Sequence, residues 1–193
     1  MRPINRRAAT PPPTLQARRL DALWKAATNP TLSEAQRTQV MLTLGALSLR
    51  PGHPFTVRLE RVDGDALVLE AGVDAATVPL APGSRLPVAD SPQAELIRIN
   101  VIRGWYDVRR SPEIARCAEV RAQGWQAVIG MPFQACGAVY TLTFVSPQPL
   151  ASDFESDDRD FVELLASTLA ERIQQRWQNQ RIEAFTHSRT PVS

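Results

Sequence analysis

Apolar positions along the chain change their period twice, and each change marks a change of element. From Thr14, Leu20, Leu23, Trp24 and Ala27 fall on one face of a helix that Asn29-Pro30 stops. A second helix opens at Ser33. Gln36 stands three residues on, the spacing of a capping box that satisfies two free backbone N–H groups. Val40, Leu44 and Leu47 follow at helical spacing, and "RPG" at 50–52 ends the run. The period then becomes two. "FTVRLERVDGDALVLEA" (55–71) predicts a hairpin around Asp63-Gly64. A two-residue loop would pair Leu59 with Val68 and Glu60 with Leu67. A three-residue loop, 63–65, pairs Leu59 with Leu69, Val57 with Ala71 and Arg58 with Glu70. The second register sorts apolar from charged residues and is preferred.

Residues 72–82 have the composition of a loop, and "GSRLPVAD" gives a short strand. Ser91 and Pro92 then mark a helix start, because proline's missing N–H costs nothing in the first turn. "INVIRGWYDV" (99–108) predicts a strand interrupted at Gly104, and the polar segment 109–123 holds a helical turn around "PEIARCAEV". "GWQAVIGMPFQACGAVYTLTF" (124–144) supplies two strands joined by "QACG". In it Trp125, Ala127, Ile129, Met131 and Phe133 alternate with Gln126, Val128, Gly130 and Pro132. Tyr140, Leu142 and Phe144 alternate with Val139, Thr141, Thr143 and Val145, so both faces of this hairpin should be covered. A long helix follows from about Asp157, with Ser156 as cap and a stripe of Phe161, Leu164, Leu165, Leu169, Ile173 and Trp177. Strands and helices do not alternate as βα units, so the fold class is α+β with a central antiparallel sheet.

Composition narrows the function classes. With 193 residues, 44% of them hydrophobic, the chain suits one domain. The expected division is a disordered, basic, Pro-rich tail at 1–13, a single domain at 14–182, and a tail or linker at 183–193. A net charge of +2 gives no field that would demand nucleic acid or an anionic membrane as partner. No apolar run reaches the ~18 residues of a membrane span. The N-terminus has charge but no apolar core of a secretory signal. Together with only two cysteines, this predicts the reduced cytoplasm. Two cysteines also exclude a cysteine-rich zinc module, and His53 and His187 have no ligand-spaced partner, so no metal site is expected. Asp153, Glu155, Asp157, Asp158 and Asp160 cluster at a helix start, where the helix dipole accounts for them. There is no Gly-rich phosphate loop and no Ser-His-Asp pattern.

Three stretches carry a resemblance: "GSRLPVADSPQAELIR", then "WYDV", then "GWQAVIGMPFQACGAVYTLTFVSPQPLASDFESDDRDFVELLASTLAERIQQR". Over about residues 15–182 this order resembles the GAF domain family, notably modules that precede bacterial signalling outputs such as diguanylate cyclases. The matching positions are Asp107, Pro132, Gly137, Phe144 to Ser146, Phe154 and Asp158. The resemblance implies N- and C-terminal helices on one face of the sheet. It implies a small-molecule pocket on the other, covered by short helices and loops. Ligands of the family include cyclic nucleotides, bilins, haem, small metabolites and none at all. The chain has no cyclase signature, and is expected to be a free-standing module or a sensor piece of something longer.

The ligand sets of individual family branches fit poorly. Cyclic-nucleotide binders resemble one another in an Asn-Lys-Phe-Asp-Glu-type constellation, absent here where the one lysine is Lys25. Bilin carriers attach through a cysteine often followed by histidine, whereas Cys117 is followed by Ala118. Haem needs an axial ligand, and His53 sits in a Pro-flanked turn. The free methionine-(R)-sulfoxide reductases of the family use a multi-cysteine framework; Cys117 and Cys136 do not lie in its local motif, and the chain is expected not to be an enzyme. Cys136 then fills a turn and Cys117 packs on a short helix. Large or charged residues on predicted strands are the candidate ligand contacts: Arg58, Arg103, Trp105, Asp107, Trp125 and Tyr140. Trp105 and Trp125 are expected to flank one cavity. Beyond Arg176, "WQNQRIEAF" leaves Trp177, Ile182 and Phe185 without a core, consistent with a homodimer through the terminal helices that passes signal to an output domain or protein. The expected function is a non-catalytic sensory module binding a small molecule. The alternatives are a ligand-free dimerisation module and a thiol redox enzyme or sensor using Cys117 and Cys136. The residues name no ligand or cofactor.

Overall fold

A computed structural model describes residues 14–187. The expected tail at 1–13 and the last six residues lie outside the described residues. Two helices come first, α1 (Leu15–Thr28) and α2 (Glu34–Ser48). Thr14 caps α1 by accepting from the Ala17 N–H. The capping box of α2 forms as expected: Ser33 Oγ accepts from Gln36 N, and Gln36 Oε1 accepts from Ser33 N at 2.8 Å. Strands β1 (Thr56–Asp63), β2 (Ala66–Val73) and β3 (Arg85–Pro87) follow, then α3 (Pro92–Ile99) and β4 (Arg103–Trp105). A 3-10 turn (Val108–Arg110), α4 (Pro112–Ala115) and α5 (Ala118–Gln123) lead into β5 (Ala127–Ala135) and β6 (Ala138–Ser146). Helix α6 (Ser156–His187) closes the described chain, so the boundary expected after residue 182 falls inside it. Among the described residues no helix is long and apolar enough to cross a membrane.

The six strands form one antiparallel sheet in the order β3-β2-β1-β6-β5-β4. Alternation along the central strands sends Val57, Leu59, Ala127, Ile129, Leu142 and Phe144 to the face covered by α1, α2 and α6. The opposite face is roofed by α3, α4, α5 and the 3-10 turn over a second cluster of Leu96, Trp105, Val108, Ile114, Val120, Trp125, Val128 and Val145. The fold is thus α+β, with the terminal helices on one face and short elements on the other. We call the second the distal face.

Four local expectations are corrected. Neither hairpin register is seen: Asp63 pairs with Ala66 across the two-residue loop Gly64-Asp65, and Glu60 pairs with Leu69. The register then slips at Leu59/Glu60, so that Leu59 meets Ala71 and Val57 meets Val73. This bulge gives both apolar sets their buried face, which no straight register allows. The strand expected at 99–108 is only three residues long, because α3 continues to Ile99 and Asn100 caps it in the left-handed conformation. Trp125 leaves the alternation of the following strand: it joins the distal cluster while Ala127 faces the helices.

The fourth correction concerns which helix faces are inside. Arg19, Leu23, Ala26 and Ala27 of α1 are buried, while Leu20 and Trp24 are exposed. In α2 Met41, Leu42, Gly45 and Ala46 point inward, and Val40 and Leu47 are exposed. Small residues let both helices lie close to the sheet. Arg19 can be buried because its guanidinium donates to Ser48 O at 2.9 Å and Leu49 O at 2.6 Å. It lies 4.9 Å above the Phe161 ring and 3.6 Å from Asp158, which also holds Arg50 at 2.6 Å. Asp158 is thus the centre of a buried ion cluster joining α1, the end of α2 and α6, and not simply a charge at a helix start.

Candidate ligand site

The distal face holds an unusual layer of polar side chains. Alternation along β1 puts Arg58 and Glu60 on this face, because Val57 and Leu59 face the helices. Across the sheet Arg58 pairs with Thr143 and Glu60 with Thr141; the next rungs on β5 are Gly130 and Pro132. A side chain at Gly130 would meet Leu142 O at 2.7 Å and Leu96 Cδ1 at 2.8 Å, so the bare glycine is what lets α3 lie against the sheet here. From α3, Gln93 Nε2 donates to Glu60 Oε2 at 2.7 Å. Arg58 donates to Glu60 Oε1 through Nε at 2.9 Å and Nη2 at 2.7 Å. The Arg58 guanidinium also sits 5.8 Å from the Trp125 ring centre. Glu119 enters from α5, with its Oε1 3.9 Å from Arg58 Nη2, too far for a hydrogen bond.

These groups are buried: Glu60, Gln93, Thr141 and Thr143 at 0% exposure and Glu119 at 8%. Five of their side-chain atoms have no partner: Gln93 Oε1, both carboxylate oxygens of Glu119, Thr141 Oγ1 and Thr143 Oγ1. Buried polar atoms are normally satisfied, and each orphan costs about 1–3 kcal/mol. Burial lifts the Glu119 carboxyl to a pKa of about 7; Glu60 adds to the rise and Arg58 opposes it. At neutral pH Glu119 can therefore take up or release a proton.

The sequence-derived candidates divide between the two faces. Arg58, Trp105 and Trp125 belong to the distal layer. Arg103 is at its rim, over the Trp105 ring at 5.5 Å, 3.6 Å from Glu95 and 3.9 Å from Glu113; Trp105 Nε1 lies 3.4 Å from Glu113 Oε1. Asp107 is not in the layer. It accepts from the Arg109 backbone at 3.1 Å and from the Arg109 guanidinium at 2.8 Å, and so starts the 3-10 turn. Tyr140 is on the helix face, stacked on Phe133 at 5.5 Å, because β6 alternation pairs it with Leu142 and Phe144. Trp125 and Tyr140 therefore do not share a site. Two hollows lie on that helix face. One of about 660 Å³ lies between α1 and α6, lined by Leu20, Trp24, Leu164 and Thr168 among others. The other, of about 470 Å³, is edged by Tyr140, Arg61, Ile173 and Trp177. Neither contains the unpartnered distal atoms, so polar chemistry rather than volume locates the candidate site.

Both cysteines are free thiols. Cys117 heads α5 beside the distal cluster, and burial raises its pKa, which works against a reactive thiolate. Cys136 sits in the β5–β6 turn against Ile173 and Gln174 of α6. The sheet separates them, so the pairing considered from the sequence has no geometric support. Sequence reasoning missed Glu60, Gln93, Glu119, Thr141 and Thr143. A signal for three of them was present: "RLE" and "TLT" place polar residues on one face of strands too apolar on the other to be edges. Gln93 and Glu119, on helices, gave none.

No family model matches the sequence, and no curated protein matches it. Solved structures do resemble the fold. The GAF domain from an Acinetobacter phosphoenolpyruvate-protein phosphotransferase is 14% identical, with 85% of this chain and 98% of that chain covered and a TM-score of 0.63. Free methionine-R-sulfoxide reductase from Neisseria meningitidis, solved in complex with its substrate, is 19% identical, covering 89% of this chain and 96% of that chain at a TM-score of 0.62. The GAF domain of a two-component sensor histidine kinase from Bacillus halodurans is 16% identical, covering 77% and 99% at a TM-score of 0.54. The fold is that of GAF domains. The expectation that the chain is not an enzyme is overturned as an inference from the fold, because the same architecture carries a reductase.

Proposed function

We propose that this GAF-like chain is a sensory or regulatory module whose signal is a small molecule taken up in the distal layer. The contacts assigned are Arg58, Glu60, Gln93, Glu119, Thr141 and Thr143, with Trp105 and Trp125 as aromatic walls and Arg103 at the rim. One observation carries this reading: five buried polar atoms in one layer lack partners, where a fold built only for stability would satisfy or remove them. A ligand that supplies those partners pulls on α3 and α5 and on β1 and β6. The other side of β1 and β6 carries α2 and α6, so the binding energy reaches the terminal helices. The signal follows if the ligand prefers one helix arrangement by a few kcal/mol. The terminal helices offer a route for it. Leu20 and Trp24 of α1 stand exposed beside the hollow against α6, an apolar surface suited to a second copy of the chain.

Native mass spectrometry of protein purified without denaturation tests the ligand. A bound small mass is expected in the wild type and is lost in Trp125→Ala. Thr143→Val, which keeps the side-chain volume, should weaken retention while far-UV circular dichroism stays unchanged. Wild-type protein free of any bound mass, or retention indifferent to both substitutions, would overturn the proposal.

A further inference from the structure

We infer that the distal site takes a small organic cation, a protonated amine, amidine or guanidine, held by Glu119 and Gln93. This rests on the distal layer being the ligand site and adds the charge of what enters it. The layer contains two carboxylates, Glu60 and Glu119, and one guanidinium, Arg58. Glu60 is fully provided for: one oxygen accepts twice from Arg58 and the other accepts from Gln93. Arg58 gives Nε and Nη2 to Glu60, and Glu119 is left 3.9 Å from Nη2 with no donor on either oxygen. Gln93 spends its nitrogen on Glu60, which leaves its carbonyl oxygen unpaired in the same layer.

Every unmatched atom can therefore accept a hydrogen bond. Gln93 Oε1 is a pure acceptor, the two Glu119 oxygens accept once the carboxyl is ionised, and the threonine hydroxyls accept or donate. Among the described residues no side-chain nitrogen of this layer that is wholly shut off from solvent lacks a partner. A ligand that brings N–H donors completes the layer. A positive charge suits it further, because an ionised Glu119 beside Glu60 leaves the layer one negative charge in excess. An anion would add a third negative charge in a water-poor space. The face of Trp125 already lies under a guanidinium, and its ring quadrupole favours cations.

Cation binding is then coupled to ionisation of Glu119. The charged groups acting on that carboxyl are Arg58 and Glu60 from β1. Asp90, whose carbonyl accepts from the Glu119 N–H, and Cys117, on the residue before α5, are the other titratable neighbours. Gln93, Thr141 and Thr143 carry no charge.

Isothermal titration of the full chain with benzamidine, benzamide and benzoate compares one shape in three charge states, and methylguanidinium provides a smaller cation in case the ring is too large. The cations are expected to bind, about tenfold more tightly at pH 8 than at pH 6, as Glu119 ionises. Glu119→Gln should weaken them at least tenfold at pH 8 and flatten the pH dependence, with an unchanged circular dichroism spectrum. Binding of neither cation, or cation affinity unaltered in Glu119→Gln, overturns the inference. Equal or tighter binding of benzamide or benzoate, sensitive to Thr143→Val, overturns the cation and leaves the small-molecule site standing. A co-purified neutral or anionic mass has the same meaning, whereas the absence of any bound mass removes both.

Discussion

Glu119 concentrates what is unusual about this molecule in one side chain. Its carboxyl is buried without a hydrogen-bond donor, and its pKa rises from an ordinary 4.5 to about 7. The consequence for stability has a definite sign. Between these values the native state keeps a proton that the unfolded chain has released. This contribution to stability is therefore fully present below the unfolded pKa, is lost as pH rises through this window, and is gone above about 7. The loss is at most of order 3 kcal/mol, or several degrees in Tm. Glu119→Gln should remove this component, so thermal melts at pH 5 and pH 8 should differ less in the variant than in the wild type. The remaining carboxylates are common to both proteins and cancel in the comparison. A pH-independent difference in Tm between the two would show that Glu119 ionises normally. Asp158 is the contrasting acid. It too is buried, but Arg19 and Arg50 compensate it, so it ties elements together and leaves nothing unsatisfied.

At the scale of elements, two short irregularities set the geometry. The bulge opposite Leu59/Glu60 puts one extra residue, Glu70, into β2, so that Leu67 and Leu69 pair with Val62 and Glu60 while Ala71 and Val73 pair with Leu59 and Val57. The turn between β5 and β6 uses Cys136 and Gly137 at φ 51° and 76°. Two consecutive positive φ angles match the type I′ hairpin turn, where Asn-Gly is preferred. A cysteine there bears part of the ~1–2 kcal/mol that a left-handed residue costs. Cys136→Asn should raise stability by roughly 0.5 kcal/mol and Tm by about 1–2 °C in a thermal melt. The Cys136 N–H bond to Gln174 at 3.2 Å belongs to the backbone and survives the change. A lower Tm would mean that the Sγ contacts with α6 outweigh the turn strain.

In the whole molecule the sheet separates two layers of different character. Apart from the Asp158 cluster the helix layer is apolar, and its outer side is unfinished: Trp24 is 71% exposed and Trp177 40%. If α1 and α6 meet a second copy, sedimentation equilibrium of the wild type should show a monomer–dimer balance. Trp24→Glu should then weaken association at least tenfold, about 1.4 kcal/mol, and being exposed should shift Tm little. A wild type that stays monomeric at high concentration removes the dimer. The distal layer is the opposite case, enclosed but polar and incompletely paired.

How much of this was legible depended on whether the governing interactions were local. Periods of 3.6 and 2, the capping box at Ser33 and Gln36, and the turn at Cys136-Gly137 are local, and the sequence alone determined element order, the α+β class and the two-faced β5–β6 hairpin. Arg58 and Trp125 could be picked out by their chemistry. Their layer could not, because partnership is decided by residues far apart in the chain. Glu60, Gln93 and Glu119 come from three elements, and only the folded arrangement shows that Glu60 is satisfied and Glu119 is not. The same holds for Tyr140 and Asp107, whose types suited a site but whose backbone positions turned them to the helix face and to a local turn. Periodicity divides a strand into two faces; only packing decides which face is buried against what, and which buried polar atoms are left for a ligand.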